Sequence, residues 1–178
     1  MRAIHYQQFG SYEQLQLTER PLPQPGVGEV LLQMRIAGVS PLDNTIREGH
    51  LPPNTHKPLP TIPGTSGVGV IVTSDLLAFP VGARVAVSSG SGYGISVDGT
   101  WQEFLLAQAN HLAIIPDGVS DEDAAALTTG AGYLTAYLAL KELVGFLPGQ
   151  RVLAPGIGGS VVQIQHLFCR YGKTCFAF

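Results

Sequence analysis

PGVGEVLLQMRIAGVSPLDNTIREG, residues 25–49, holds the pattern that decides the first half of the fold. Within it Val30, Leu32, Met34 and Ile36 share one face, while Gln33 and Arg35 share the other. Alternation with period two is a half-buried strand, predicted over residues 29–37. Working outward, residues 3–8 and 14–19 also alternate apolar with polar. GVGVIVT, residues 67–73, is the short β-branched run of a buried strand. Residues 83–88, 101–107 and 111–115 continue the series. Glycine and proline cut between them, at 21–28, 52–60 and 90–99. Many short strands with Gly/Pro turns predict a small barrel or sandwich.

The character changes at Pro116-Asp117-Gly118. Ser120 followed by Asp123 is a capping-box start, and an acid there suits the positive end of a helix dipole. Ala124 to Leu127 are good helix formers. A second helical run is predicted over 133–143, with a kink near Gly130 and Gly132. Pro148-Gly149-Gln150 makes a turn, and residues 151–154 read as a buried strand. Beyond PGIGGSV (155–161), Val161, Ile164, Leu167 and Phe168 recur at helical spacing. Gly172 is placed to end that helix in a left-handed cap. Residues 173–178 then make a second strand. The order is all-β, then helices, then β-α-β.

Gly156, Gly158 and Gly159, with Ser160 and Val161, lie between that strand and that helix. A phosphate-binding turn needs this setting: glycines admit a pyrophosphate close to the backbone, and the helix start offers free N–H groups. Val161 stands where a third glycine would complete G-x-G-x-x-G, so an ordinary glycine-rich turn is the alternative.

Bulk properties exclude other classes. The net charge is −3 with no basic run, so nothing marks a nucleic-acid or anionic-membrane surface. No apolar stretch reaches the roughly 20 residues of a membrane span. MRAIHYQQFG lacks a signal-peptide core. The two cysteines, Cys169 and Cys175, do not form a disulfide framework and fit a reduced interior. A soluble cytoplasmic protein is expected.

Residues 25–49, 60–72 (PTIPGTSGVGVIV), 79–87 (FPVGARVAV), 99–107 (GTWQEFLLA), 115–137 (IPDGVSDEDAAALTTGAGYLTAY) and 148–159 (PGQRVLAPGIGG) together resemble the medium-chain dehydrogenase/reductase family, in its zinc-independent, quinone-oxidoreductase-like branch. The resemblance implies a mixed α/β chain. A GroES-like β-barrel substrate domain spans 1–120. The linking helices and the first β-α-β of a dinucleotide-binding Rossmann domain, incomplete, span 121–178.

Zinc-dependent members place ligands where this chain has Ser40, Thr65 with Ser66, and Ala131. None is a Cys, His or carboxylate, and a catalytic zinc needs about three such groups. Residues 88–99 contain no cysteine for a structural zinc lobe. His50 and His56 read as solvated loop residues. No metal is expected.

The resemblance places Ser40 at the rim of the nicotinamide pocket, and Leu42 where zinc members carry a relay hydroxyl. Asp43 is either a site residue or a structural cap for a helical turn at 44–48. Tyr93 either offers a phenol to substrate or is a loose surface aromatic. Thr135 matches a position on the nicotinamide side of the cofactor. Trp101 and Tyr137 read as core packing. The candidate catalytic residues are thus Ser40, Asp43 and Tyr93. The candidate cofactor residues are Thr135, Gly156, Gly158, Gly159, Ser160 and Val161.

The implied activity is reduction of a quinone or α,β-unsaturated carbonyl by NADPH, with NAD as the alternative, in a full-length homodimer. Two other readings stay open: an inactive fragment or binding module, since the residue that reads the ribose lies about 20 residues past the first glycine, near Phe178, and an alcohol or carbonyl dehydrogenase of the same architecture.

Overall fold

The computed structural model describes residues 1–52, 54–88, 90–129, 132–145, 147, 151–154, 159 and 174–177. They fall into two compact units, Met1–Thr129 and Gly130–Phe178.

The first unit is built on five antiparallel strands. In chain order they are β3 (Glu29–Ala37), β4 (Gly67–Thr73), β5 (Arg84–Val87), β6 (Phe104–Gln108) and β7 (Leu112–Ile114), and in space β6-β3-β4-β5-β7. A hairpin of β1 (Arg2–His5) and β2 (Gln16–Glu19) joins them through the bridge of Ala3 to Gln102. Register shifts between Leu31 and Leu32, and between Met34 and Ile36, bend β3 as bulges do. β3 and β4 span the residues expected of them, and the other strands overlap the expected stretches with ends shifted by up to three residues.

Alternation implied one wet face, but much of the sheet is covered on both. One core cluster gathers Val30, Leu32, Ile71, Val85, Val87, Leu105 and Tyr93. On the opposite side of β4 and β5, Val68 and Ala86 pack with Ile115 and with Ala124 and Ala125 of helix α2 (Asp121–Thr128). Small alanines let the helix lie close to the strands. Ser120 caps α2, its hydroxyl accepting from Asp123 N–H at 3.0 Å. Arg84 on β5 ties the helix start down, bonding Asp121 Oδ1 at 2.8 Å and Val119 O at 2.6 Å. The boundary between compact units follows α2, nine residues beyond the sequence division at 120.

Helix α1 (Pro41–Arg47) corrects the expected helical turn at 44–48. Pro41 opens it, because a proline at the first helical position has a fitting φ and no N–H to lose. The cap is therefore Ser40, and Asp43 takes the third position of a capping box.

In the second unit, α3 (Gly132–Tyr137) continues into a wider π-type turn over Leu138–Leu143. Strands β8 (Arg151–Ala154) and β9 (Thr174–Ala177) pair in parallel, Arg151 opposite Thr174 and Ala154 opposite Ala177. Parallel neighbours require a crossover between them. The helix expected there, at 161–171, lies outside the described residues. Tyr137, read as core, is 37% exposed. Among the described residues no helix is long and apolar enough to cross a membrane.

Candidate functional site

Where β3 ends, the chain turns through Gly38 and Ser40 into α1. Asp43, only 3% exposed, gathers three donors at this turn. Its Oδ2 accepts the Ser40 N–H and the Ser40 hydroxyl, both at 2.7 Å. Its Oδ1 accepts the Thr65 N–H at 3.0 Å. Hydrogen bonds to a carboxylate are about twice as strong as neutral ones. Asp43 thus clamps the β3–α1 turn to a segment 22 residues away.

That segment, residues 62–66, is pinned at every residue. Ile62 N–H donates to Asp98 Oδ1 at 3.0 Å, and Ile62 O accepts from Gly99 N–H at 2.8 Å. Trp101 N–H reaches Pro63 O at 3.0 Å, and Thr100 N–H reaches Gly64 O at 2.9 Å. Ser66 O accepts from Gly38 N–H at 2.9 Å and from the Thr100 hydroxyl at 2.8 Å. Gly64 sits at φ +103°, and a Cβ there would strike the Trp101 ring and Thr100. No other residue fits both the angle and the space. The Trp101 indole donates to Gly38 O at 2.8 Å, so Trp101 is a half-buried brace. A Cβ on Gly38 would collide with the Thr129 and Ser66 hydroxyls.

The structure therefore brings Ser40, Asp43, Thr65 and Ser66 into one cluster. These include two of the three positions where zinc-dependent members place ligands; the third, Ala131, lies outside the described residues. Thr65 and Ser66 are 2% and 1% exposed. No group of three His, Cys, Asp or Glu among the described residues could hold a metal ion. His50 is exposed and pairs with Glu48 at 3.4 Å, while His56 packs on the Phe9 ring at 4.8 Å. Leu42 is exposed and brings no hydroxyl to α1.

Tyr93 is neither a loose surface aromatic nor a free phenol. It belongs to the core cluster at 4% exposure, with its ring edge-on to His111. Its oxygen accepts the Gln108 N–H at 3.1 Å. Gln108 pairs with Glu29, at the opposite end of β3 from Ser40. Burial pushes the phenol pKa above its ordinary value, the Gln108 hydrogen bond opposes that, and the Glu29 charge adds to it. Tyr93 also lines a 740 Å³ cavity with Arg20, Leu105, Gln108 and His111.

Of the cofactor candidates, Thr135 lies exposed on α3 and Gly159 at an exposed bend. Gly156, Gly158, Ser160 and Val161 lie outside the described residues.

Sequence reasoning missed the braces: Thr100, Trp101, Asp98 and Gly38. Thr100 to Ser66, Asp98 to Ile62 and Trp101 to Gly38 span 34 to 63 residues, and no local motif encodes such a contact. The Ser40–Asp43 capping box was readable as S-x-x-D with a proline at the first helical position.

The profile of the alcohol dehydrogenase GroES-like domain matches residues 26–117. The human synaptic vesicle membrane protein VAT-1 homolog is 34% identical over 178 residues, covering 92% of this chain and 41% of its own length. An alcohol dehydrogenase of Schizosaccharomyces pombe is 32% identical over 196 residues, covering 97% of this chain and 53% of its own. The quinone oxidoreductase of Thermus thermophilus, solved also as its complex with NADPH, superposes with a TM-score of 0.76. It is 29% identical and covers 99% of this chain and 52% of that one. The chain spans 41% to 53% of these two curated relatives.

Proposed function

Because the chain belongs to the alcohol dehydrogenase family with a GroES-like domain, the medium-chain dehydrogenases/reductases, we propose that it serves an oxidoreductase reducing a quinone or α,β-unsaturated carbonyl with NADPH and without catalytic zinc. The family's members include alcohol dehydrogenases and quinone oxidoreductases. The Ser40–Asp43–Thr65 clamp carries the choice between them.

Catalytic zinc is held by about three Cys, His or carboxylate groups, with a position left open. The cluster offers the hydroxyls of Ser40, Thr65 and Ser66. Its one carboxylate, Asp43, already accepts three donors. This donor set does not fit zinc. Polarisation of the acceptor then falls to hydrogen bonds, which are worth most in a rigid, water-poor site.

The second unit fits a nicotinamide dinucleotide. A parallel pair joined by a crossover is the opening of a dinucleotide-binding fold, and the parallel register of β8 and β9 supplies that pair. Gly156, Gly158, Gly159, Ser160 and Val161 would hold the pyrophosphate, and Thr135 would face the nicotinamide. When bound, the cofactor supplies the hydride. Asp43 positions Ser40 and Thr65 and keeps both loops in one geometry. The relative solved with NADPH supports NADP over NAD. A cytoplasmic homodimer belongs to the same proposal.

Alcohol oxidation is the second reading, favoured by the alcohol dehydrogenase relative. Side-by-side assays on the natural full-length protein separate the two. The proposal expects turnover of an enone or quinone with NADPH and at most trace oxidation of a primary alcohol. The reverse preference would replace it. Titration of the 178-residue chain with NADPH decides whether this stretch alone captures cofactor; no binding would support its reading as a fragment.

A further inference from the structure

We propose, resting on the carbonyl-reduction reading above, that the Thr65 hydroxyl is the catalytic hydrogen-bond donor to the substrate oxygen. The other hydroxyls of the cluster are committed. Ser40 donates to Asp43 at 2.7 Å, Thr100 to Ser66 O at 2.8 Å, and Thr129 to Ala125 O at 2.7 Å. Ser66 faces Thr129 at 3.5 Å. Thr65 contributes its backbone N–H to Asp43, while its side chain makes no hydrogen bond among the described residues.

Thr65 is also 2% exposed. Yet its oxygen is not among the sealed, unpartnered side-chain atoms of the described residues, which are His5 Nε2, Tyr6 OH, His56 Nε2, Thr61 Oγ1 and His111 Nδ1. The little surface that Thr65 keeps therefore includes its hydroxyl. A donor almost free of water and without a partner is unfavourable until an acceptor arrives. A substrate oxygen is such an acceptor.

Rigidity completes the case. Asp43 holds Thr65 by its own N–H, and each neighbour from Ile62 to Ser66 is fixed by a main-chain hydrogen bond. A donor whose position is set in advance costs no reorganisation when charge develops.

With reduced nicotinamide as the reductant, hydride adds to the β-carbon of an enone. The C=C electron pair moves to form the enolate, and negative charge grows on oxygen. Thr65 keeps its proton and donates a hydrogen bond to that oxygen. A proton from water then joins the α-carbon, leaving the saturated ketone and oxidised cofactor.

Thr65→Val and Thr65→Ser test this in the natural full-length protein. Thr65→Val keeps the shape and removes the donor, and kcat/KM for cyclohexenone should fall on the order of 10²-fold. Thr65→Ser keeps the donor and should stay within about threefold, well inside the cost of a lost donor. Infrared spectra of ¹³C=O-labelled cyclohexenone bound with NADP⁺, where no turnover occurs, give a readout independent of rate. The carbonyl stretch should move to lower frequency in wild type and Thr65→Ser, and lose that shift in Thr65→Val. An unchanged stretch and rate in Thr65→Val would overturn the assignment, as would an equal loss in both variants, which marks a packing role. In those cases wild type still reduces the enone. A wild type that reduces neither enone nor quinone with NADPH or NADH removes the carbonyl-reduction reading itself, and this assignment with it.

Discussion

At the Ala37 end of β3, the buried Asp43 carboxylate joins two loops, and the Thr65 hydroxyl makes no hydrogen bond among the described residues. At the Glu29 end, the Tyr93 phenol accepts from Gln108 and its ring fills the core. Both ends bury polar side chains. At the Tyr93 end the phenol's hydrogen bond ties loop to strand and serves the fold. At the Asp43 end the network is tight everywhere except at one hydroxyl. A buried polar residue is thus poor evidence of chemistry, whereas a rigid cluster with one uncommitted donor is good evidence.

The sharpest attempt to break this contrast is Asp43→Ala. It leaves the buried Thr65 N–H and the half-buried Ser40 N–H without their acceptor, at about 1–3 kcal/mol each. A total loss of roughly 3–5 kcal/mol is expected in urea unfolding, where partner removal from buried charged networks also lies. Asp43→Asn should lose less, because Oδ1 can still accept from Thr65. A cost below about 1 kcal/mol for Asp43→Ala, that of an ordinary hydrogen bond, would dissolve the clamp as an explanation.

Next comes Gly64→Ala, which adds a methyl where φ is +103° and the Trp101 ring is in the way. About 2–3 kcal/mol is expected from strain and overpacking together. Thermal unfolding would show it, and a neutral substitution would mean that segment 62–66 is not held as described.

Tyr93→Phe probes the other end. Losing the acceptor of the Gln108 N–H should cost about 1 kcal/mol, with kcat/KM within about twofold of wild type, where a lost catalytic donor costs far more. A hundredfold loss of activity would return Tyr93 to the catalytic set.

The smallest effect concerns Asp98, which receives Lys57 Nζ at 2.5 Å, Arg20 at 3.1 Å and the Ile62 N–H. Burial alone would push its carboxyl up, but the Lys57 and Ile62 hydrogen bonds and the Lys57 and Arg20 charges together hold it below the ordinary 3.8. A folded pKa below the unfolded one gives stability that is present above the unfolded value and lost as pH falls through the folded one. Asp98→Asn should therefore flatten the acid limb of the stability–pH curve below about pH 4. An unchanged limb would show that the pairs with Lys57 and Arg20 contribute nothing, as many partly exposed pairs do.

Much of the fold was legible because alternation is local. Val30, Leu32, Met34 and Ile36 mark β3 without reference to anything else, and Ser120 with Asp123 marks the start of α2. The start of α1 differs because Asp43, a good capping residue, points to a turn at 44–48, whereas Pro41 suits a helix's first position and Ser40 is the cap. Ser40 and Asp43 stood out only as candidates through the family resemblance, and the capping box decides which of them is the cap. Thr65 was visible only as a missing zinc ligand. Its free hydroxyl depends on Asp43, Thr100 and Trp101, whose separations from their partners no periodicity reports. Tyr93 misled for the same reason: a tyrosine in a glycine-rich loop reads as exposed until its place in the core cluster with Leu105 and Val30 is known.

The most direct test is the enone reductase rate of the natural full-length protein with NADPH, before and after exhaustive metal chelation. The hydroxyl-based site predicts the same rate in both samples and no gain on adding zinc. A rate abolished by chelation and restored by zinc would contradict it.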